Sequence, residues 1–228
     1  MNRIIEHLKE NWIKYGFETL VITAGILLAF GLNSWNEGRK TKQLEVDMIR
    51  SLIKSTEANL WNEVETGKRE LVVSKSAEIM QVVLDNDLPY HDSLEIHFRG
   101  IYLHYETWID YSAFEMLKNS NYILISSDSL REQVRNWYGV RLPGRESIQD
   151  EIKDIIKDMV NHNEWFKGYN PIELTDFEKL KKDHRFHGLV SYKIWKSKAW
   201  GQRLTDSARN SYPLLVSLRE ELAHLEGQ

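Results

Sequence analysis

The 228-residue chain contains no cysteine, which excludes a disulfide scaffold, a thiolate zinc site and a cysteine nucleophile. The absence points to neither side of a membrane. Basic charge is not in surplus: 30 Lys and Arg stand against 34 Asp and Glu, a net charge of -4, and no basic stripe appears, so a nucleic-acid partner is not expected. There is no internal repeat, no strand alternation of any length, and no long low-complexity linker. The chain has no phosphate loop, no G-x-S-x-G, no H-E-x-x-H and no calcium-loop spacing. No catalytic residue, metal site or cofactor is therefore expected, and the chain reads as a non-enzyme. What is present, 42% hydrophobic and 28% charged residues, fits a packed core over one domain, with or without an appendage.

Charge is locally missing in one place. From Thr19 to Asn36 no residue is charged, and Leu20 to Leu32 is apolar apart from Thr23. A helix over residues 17–35 is roughly 28 Å long, close to a hydrocarbon core of about 30 Å. Trp12 and Tyr15 at one edge and Trp35 at the other suit the headgroup level, where amphipathic rings settle. The sequence thus predicts a flank over 1–16, a transmembrane helix over 17–35 and a helical domain over 36–228. A cleaved signal peptide, with Ala29-Phe30-Gly31 as its small-residue site, is the main rival, and it would leave a soluble or secreted protein. A buried core helix is the other. Arg3, Lys9 and Lys14 before the span balance Arg39, Lys40, Lys42 and Arg50 after it, so positive charge alone gives no orientation.

At 100° per residue, Glu18, Gly25, Ala29 and Asn33 share one side of this helix. Gly25-x-x-x-Ala29 is a pair of small residues one turn apart, which lets two helix backbones approach, and Asn33 can hydrogen-bond across the contact. This predicts a contact with a second copy or with another membrane protein. Glu18, one turn from Lys14, also reads as an ordinary snorkelling surface pair.

The remainder reads as helices, giving an all-α fold: a transmembrane helix that continues into a stalk helix, then an antiparallel helical bundle. Nothing strongly breaks the chain between Asn36 and Gln43. The stalk's inner face is predicted as Leu44, Met48, Leu52 and Ile53, then Leu60, Trp61 and Val64, then Leu71, Ile79, Met80 and Val83, with Gly67 as a loose point. Asp85-Asn86-Asp87-Leu88-Pro89 is a turn cluster that ends it. Further helices are predicted from Asp92 or Ser93 to about His104, over Tyr111–Lys118, from Ser126–Asp128 to Tyr138, over Glu146–Phe166 and over His184–Leu225. Tyr122 to Ile125 reads as a short extended piece. Thr175-x-x-Glu178 reads as a capping box, Pro213 as a kink and Gly201 as a weak point.

Two stretches carry a resemblance. One is Phe17-Glu18-x5-Ala24-Gly25-Ile26-Leu27-x-Ala29 with Asn33-Ser34-Trp35-Asn36-Glu37-x-Arg39-Lys40. The other is Ser112-Ala113-Phe114-Glu115-Met116-Leu117-Lys118-Asn119-Ser120 with Ile125-Ser126 and Leu130-Arg131. Together they resemble a family of small single-span membrane proteins found mainly in Bacteroidota that carries a domain of unknown function. Its members have an early Glu, a Gly-Ile pair and a terminal Trp-Asn-Glu in the span, with an Ala-aromatic-Glu-x-Leu-Lys element downstream. The resemblance implies an inner-membrane anchor with a periplasmic helical domain, and it implies no reaction. The lead before the span is less basic here than in that family.

Three side-chain groups remain. Tyr102, Tyr105, Trp108, Tyr111 and Phe114, with Arg99, Glu106 and Asp110 interleaved, either line a surface for a ligand or partner or pack a core, with Trp195 and Trp200 as rings to set opposite them. Asp183-His184-x-x-His187 places two imidazoles one turn apart, too few ligands to specify a metal. His97 and His104, seven apart, would share a helix face. Lys179 to Arg185 is a basic run of the kind that normally forms a solvated face.

Overall fold

The computed structural model describes residues 12–143, 146–161, 166–167, 173–174 and 176–227. Its first element, α1, is one unbroken helix of 74 residues, Trp12–Asp85, roughly 110 Å long. With no proline and no cluster of turn residues before position 85, the apolar span runs into the stalk without interruption, as the sequence predicts. The helix ends at the turn cluster: Asp87 takes a φ of 50°, a left-handed conformation that Asp tolerates better than most residues, and the Leu88 N–H donates back to Val83 O at 3.0 Å.

A 3₁₀ turn at Asp92–Leu94 leads into α2, Glu95–Ile101. Its cap is the His91 ring, which accepts from the Ser93 N–H at 3.1 Å, in place of Asp92 or Ser93. The helix stops at Ile101, short of His104. An extended strap over residues 103–111 follows, then α3, Ser112–Asn119. This helix ends at the predicted Asn-Ser-Asn cluster, where Asn121 and Tyr122 have φ of 52° and 62°; residues 121–124 form a turn where an extended piece is predicted. Ser127 caps α4, Asp128–Asn136, which runs into a π-helical turn, Trp137–Arg141. Next come α5, Glu146–Asn161, and a two-residue antiparallel pair, β1 Phe166–Lys167 with β2 Glu173–Leu174. Asp176 caps α6, Phe177–Leu180, by accepting from the Lys179 N–H; Thr175 of the predicted capping box lies outside the described residues. The last helix, α7, is His184–Glu226, capped by Asp183 and continuous through Pro213.

The frame is α1 packed antiparallel against α7. Arg50 pairs with Glu226 at 2.7 Å, Glu57 with Arg219 at 2.6 Å, Ser207 donates to Glu63 at 3.1 Å, and Ser191 donates to Gln81 at 2.9 Å. The helices approach closely at two glycines. A Cβ on Gly67 would sit 3.1 Å from Gly201 O, and a Cβ on Gly201 would sit 2.9 Å from Leu71 Cγ and 3.0 Å from Gly67 O. The residues that sequence reasoning takes for loose points are where the two backbones touch. Two apolar cores flank this crossing. Val46, Ile49 and Leu52 pack with Phe114, Leu117, Tyr138 and Leu218 at one end. Met80 and Leu84 pack with Phe98, Ile101, Met159, Phe186 and Val190 at the other. Trp200 fills the gap with Ile152 and Leu204.

Between the cores the inner face of α1 is polar. Ser55, Thr56, Asn59, Glu63, Thr66 and Glu70 are all buried, while Trp61, expected inside, is 67% exposed, as Leu44 and Ile79 are in lesser degree.

Candidate functional site

Two parts of α1 stand out. The first is the apolar stretch. Phe17, Leu20, Val21, Ile22, Ile26, Leu27, Leu28, Phe30, Leu32 and Trp35 are each exposed by half or more. No residue of its most apolar 18-residue window, of mean hydropathy 1.6, is buried in the fold. At about 1.5–3 kcal/mol for each large apolar side chain, keeping this surface in water costs on the order of 20 kcal/mol. By length and composition the segment is long and apolar enough to cross a membrane, a property that a signal sequence shares. Glu18, Gly25, Ala29 and Asn33 lie on it exposed, and nothing approaches a Gly25 Cβ within 4 Å. The Arg39 guanidinium sits 5.1 Å from the Trp35 ring centroid. The side chains of Trp12 and Tyr15 lie outside the described residues.

The second part is the polar face, and the strap explains it. An extended segment pressed against a helix has no strand to satisfy its backbone, so side chains must do so. Residues 55, 59, 62, 66 and 70 of α1, spaced three and four apart along one face, form that ladder. Ser55 donates to Asp110 Oδ2 at 2.8 Å. Asn59 closes a double contact with Asp110, donating to its O at 3.1 Å and accepting from its N–H at 2.7 Å. Asn62 donates to Trp108 O at 2.5 Å and Thr66 to Glu106 O at 3.5 Å. Glu70 Oε1 accepts from the Tyr105 N–H at 2.5 Å and meets His104 Nδ1 at 2.8 Å. From the other side, Lys193 of α7 donates to Leu103 O at 2.7 Å, and Gln149 of α5 accepts the Thr107 N–H at 2.9 Å. The Ser112 hydroxyl and N–H hold the Asp110 carboxyl below its ordinary range.

The ladder ends in a buried ionic cluster. Glu70 and Lys193 are fully buried, and the His104 side chain is 5% exposed. Burial pushes the Glu70 carboxyl up, but the hydrogen bond from His104, the charge of Lys193, the Tyr105 N–H and the charge of His104 outweigh it, so the carboxyl stays below its ordinary value. Burial pushes Lys193 down to about 8 against the pull of Glu70. Glu70 Oε2, His104 Nε2, Ser197 Oγ and Trp200 Nε1 are buried without a hydrogen-bond partner. The arrangement can hold the strap in one register; sequence reasoning missed Glu70 and Lys193 because it searched helix faces for apolar residues. The available signal was a row of polar residues at helical spacing.

The five aromatics near 102–114 do not form one surface, though Tyr111 and Phe114 both meet Tyr138. Tyr102 is buried beside Phe98, with centroids 6.0 Å apart, in one core, and Phe114 stacks on Tyr138 at 5.2 Å in the other. Tyr105 is half-buried under Arg69, Tyr111 is half-buried against Tyr138, and Trp108 is 80% exposed. Trp200 is buried, whereas Trp195 is 59% exposed and stacks on Tyr192. His97 contacts Ser76 at 3.4 Å and lies on α2, while His104 lies on the strap, so they share no helix face. His184 and His187 have centroids 6.3 Å apart; the His187 ring contacts Lys181 O at 2.7 Å, and Asp183 is occupied with its cap. No group of three or more His, Asp and Glu suited to a metal ion occurs among the described residues. In the basic run Lys181 is buried, paired with Asp87 at 2.7 Å and Glu178 at 3.0 Å.

Compared with protein-family models, with curated proteins and with solved structures, the chain matches none of them.

Proposed function

We propose that this is a non-enzymatic, single-pass membrane protein whose helical domain is an interaction or scaffolding module held at the inner membrane, with the domain on the periplasmic side. The observation that supports the reading is the change in α1 along its length: ten large apolar side chains of residues 17–35 are each exposed by half or more among the described residues, and the same helix then becomes the central strut of the domain. A helix shared between the bilayer and the domain fixes the domain's position and confines it to two dimensions, which raises its effective concentration toward another copy or a membrane partner. The Glu18, Gly25, Ala29 and Asn33 face is the contact proposed for that partner within the bilayer. The proposal carries with it the kinship to the Bacteroidota family described above.

The test is fractionation of the full-length chain. It should sediment with membranes, resist carbonate extraction and keep its first 32 residues by mass spectrometry. A freely dissolved chain, or one that starts near residue 32, contradicts the reading. A C-terminal alkaline phosphatase fusion should be active if the domain is periplasmic and inactive if it is cytoplasmic.

A further inference from the structure

We infer that the groove between the π-helical turn Trp137–Arg141 and α7 binds a small organic or inorganic oxyanion, a carboxylate or a phosphate, taken from the aqueous phase. The groove encloses about 410 Å³, within the range of small-molecule sites. Its charged wall is Arg141 on one side and Arg203 on the other, with Gln202 and Asn210 adding amide donors and the Trp137 ring at its base. The two guanidiniums set it apart. Arg50, Arg99, Arg131, Arg135, Arg209 and Arg219 each meet a carboxylate, and Arg39 and Arg69 each lie over an aromatic ring. Among the described residues only Arg141, Arg185 and Arg203 have neither, and two of these three face the same groove. The two are exposed and carry no counter-charge from the protein, and their planar forks match carboxylate and phosphate oxygens. Asp206 also lines the groove, but Arg209 lies 4.0 Å from it.

The backbone supplies a second, independent observation. The five residues Trp137–Arg141 wind as a π-helix, a rare turn that is frequent at functional sites; it sets Trp137 and Arg141 against the Ala199–Asn210 face of α7. The position argues for a dissolved anion rather than a lipid headgroup. Ser207, a lining residue, donates to Glu63, which lies 28 residues beyond Trp35, roughly 42 Å along the helix from the end of the apolar stretch.

The experiment is calorimetric titration of the full-length chain in phosphatidylcholine nanodiscs with inorganic phosphate and with citrate. We expect saturable 1:1 binding of at least one of them, weakened about tenfold by Arg141→Gln and about tenfold by Arg203→Gln, and unchanged by Arg185→Gln, an arginine outside the groove. Melting temperatures without ligand should match across the three variants, separating lost binding from lost folding. Absence of saturable binding by both anions, or wild-type affinity in both groove variants, overturns the inference. In nanodiscs that contain phosphatidylglycerol the affinity for the free anion should hold. Competition by that lipid would assign the groove to headgroups and overturn the soluble source.

Discussion

Residues 17–35 and residues 45–84 belong to the same helix and obey opposite rules. In the first stretch the apolar side chains are exposed, and no other described residue buries them. In the second, apolar residues face the two cores at the ends, and the middle turns its polar side inward to carry the strap. Helical continuity therefore does not mean a continuous environment. The first stretch finds no burial among the described residues. The second obtains its partners from within, and where those partners are backbone amides and carbonyls the helix needs Asn, Ser, Thr and Glu rather than Leu.

The comparison breaks most severely at Glu70. Glu70→Ala leaves Lys193 buried without its counter-charge and the Tyr105 N–H without an acceptor, and should destabilise the domain by about 3–5 kcal/mol, read by urea unfolding with tryptophan fluorescence. In the apolar stretch the matching change is the introduction of a carboxylate: Leu27→Asp should weaken membrane insertion by about 3 kcal/mol and release chain on carbonate extraction while leaving the urea midpoint unchanged. The glycines sharpen the contrast. Gly201→Val drives a methyl-bearing carbon into Leu71 and the Gly67 carbonyl and should cost the domain about 2 kcal/mol. Gly25→Val, with open space around it, should shift the same unfolding curve by less than about 0.5 kcal/mol.

Acid supplies a subtler break. The Glu70 carboxyl lies below its ordinary 4.5 in the folded chain, so the unfolded chain takes up its proton first as pH falls. Its stabilisation is complete above about 4.5 and is lost as pH drops through the lowered folded value. The stability gap between wild type and Glu70→Gln should be constant from neutral pH down to that window and close below it. At the surface of the domain, Glu57→Gln removes a half-exposed pair with Arg219 and should change stability by under about 1 kcal/mol.

The sequence made the long elements legible because their signals are local. Continuity of α1 follows from the lack of a breaker near Asn36–Gln43 and its end from Asp85-Asn86-Asp87, and the last helix, predicted over His184–Leu225, runs over His184–Glu226. The polar ladder was hidden because its cause is non-local: Asn59 faces inward to meet Asp110, 51 residues away, and hydrophobic periodicity chose Trp61 for that face. Gly67 and Gly201 mislead for the same reason, since only their mutual approach shows why no side chain fits. The aromatics of 102–114 are close in sequence, yet the strap is extended, so Tyr102 and Phe114 end in separate cores.

A chain without cysteine allows single cysteines to be introduced and labelled one at a time. Leu27 and Trp61 are equally open in the fold, 66% and 67% exposed, so geometry alone gives Leu27→Cys and Trp61→Cys the same reactivity toward a membrane-impermeant maleimide. In native membranes opened to expose both faces, the account predicts that the cysteine at 61 labels and the one at 27 stays protected until detergent and denaturant are added. Equal labelling of both in intact membranes would contradict it.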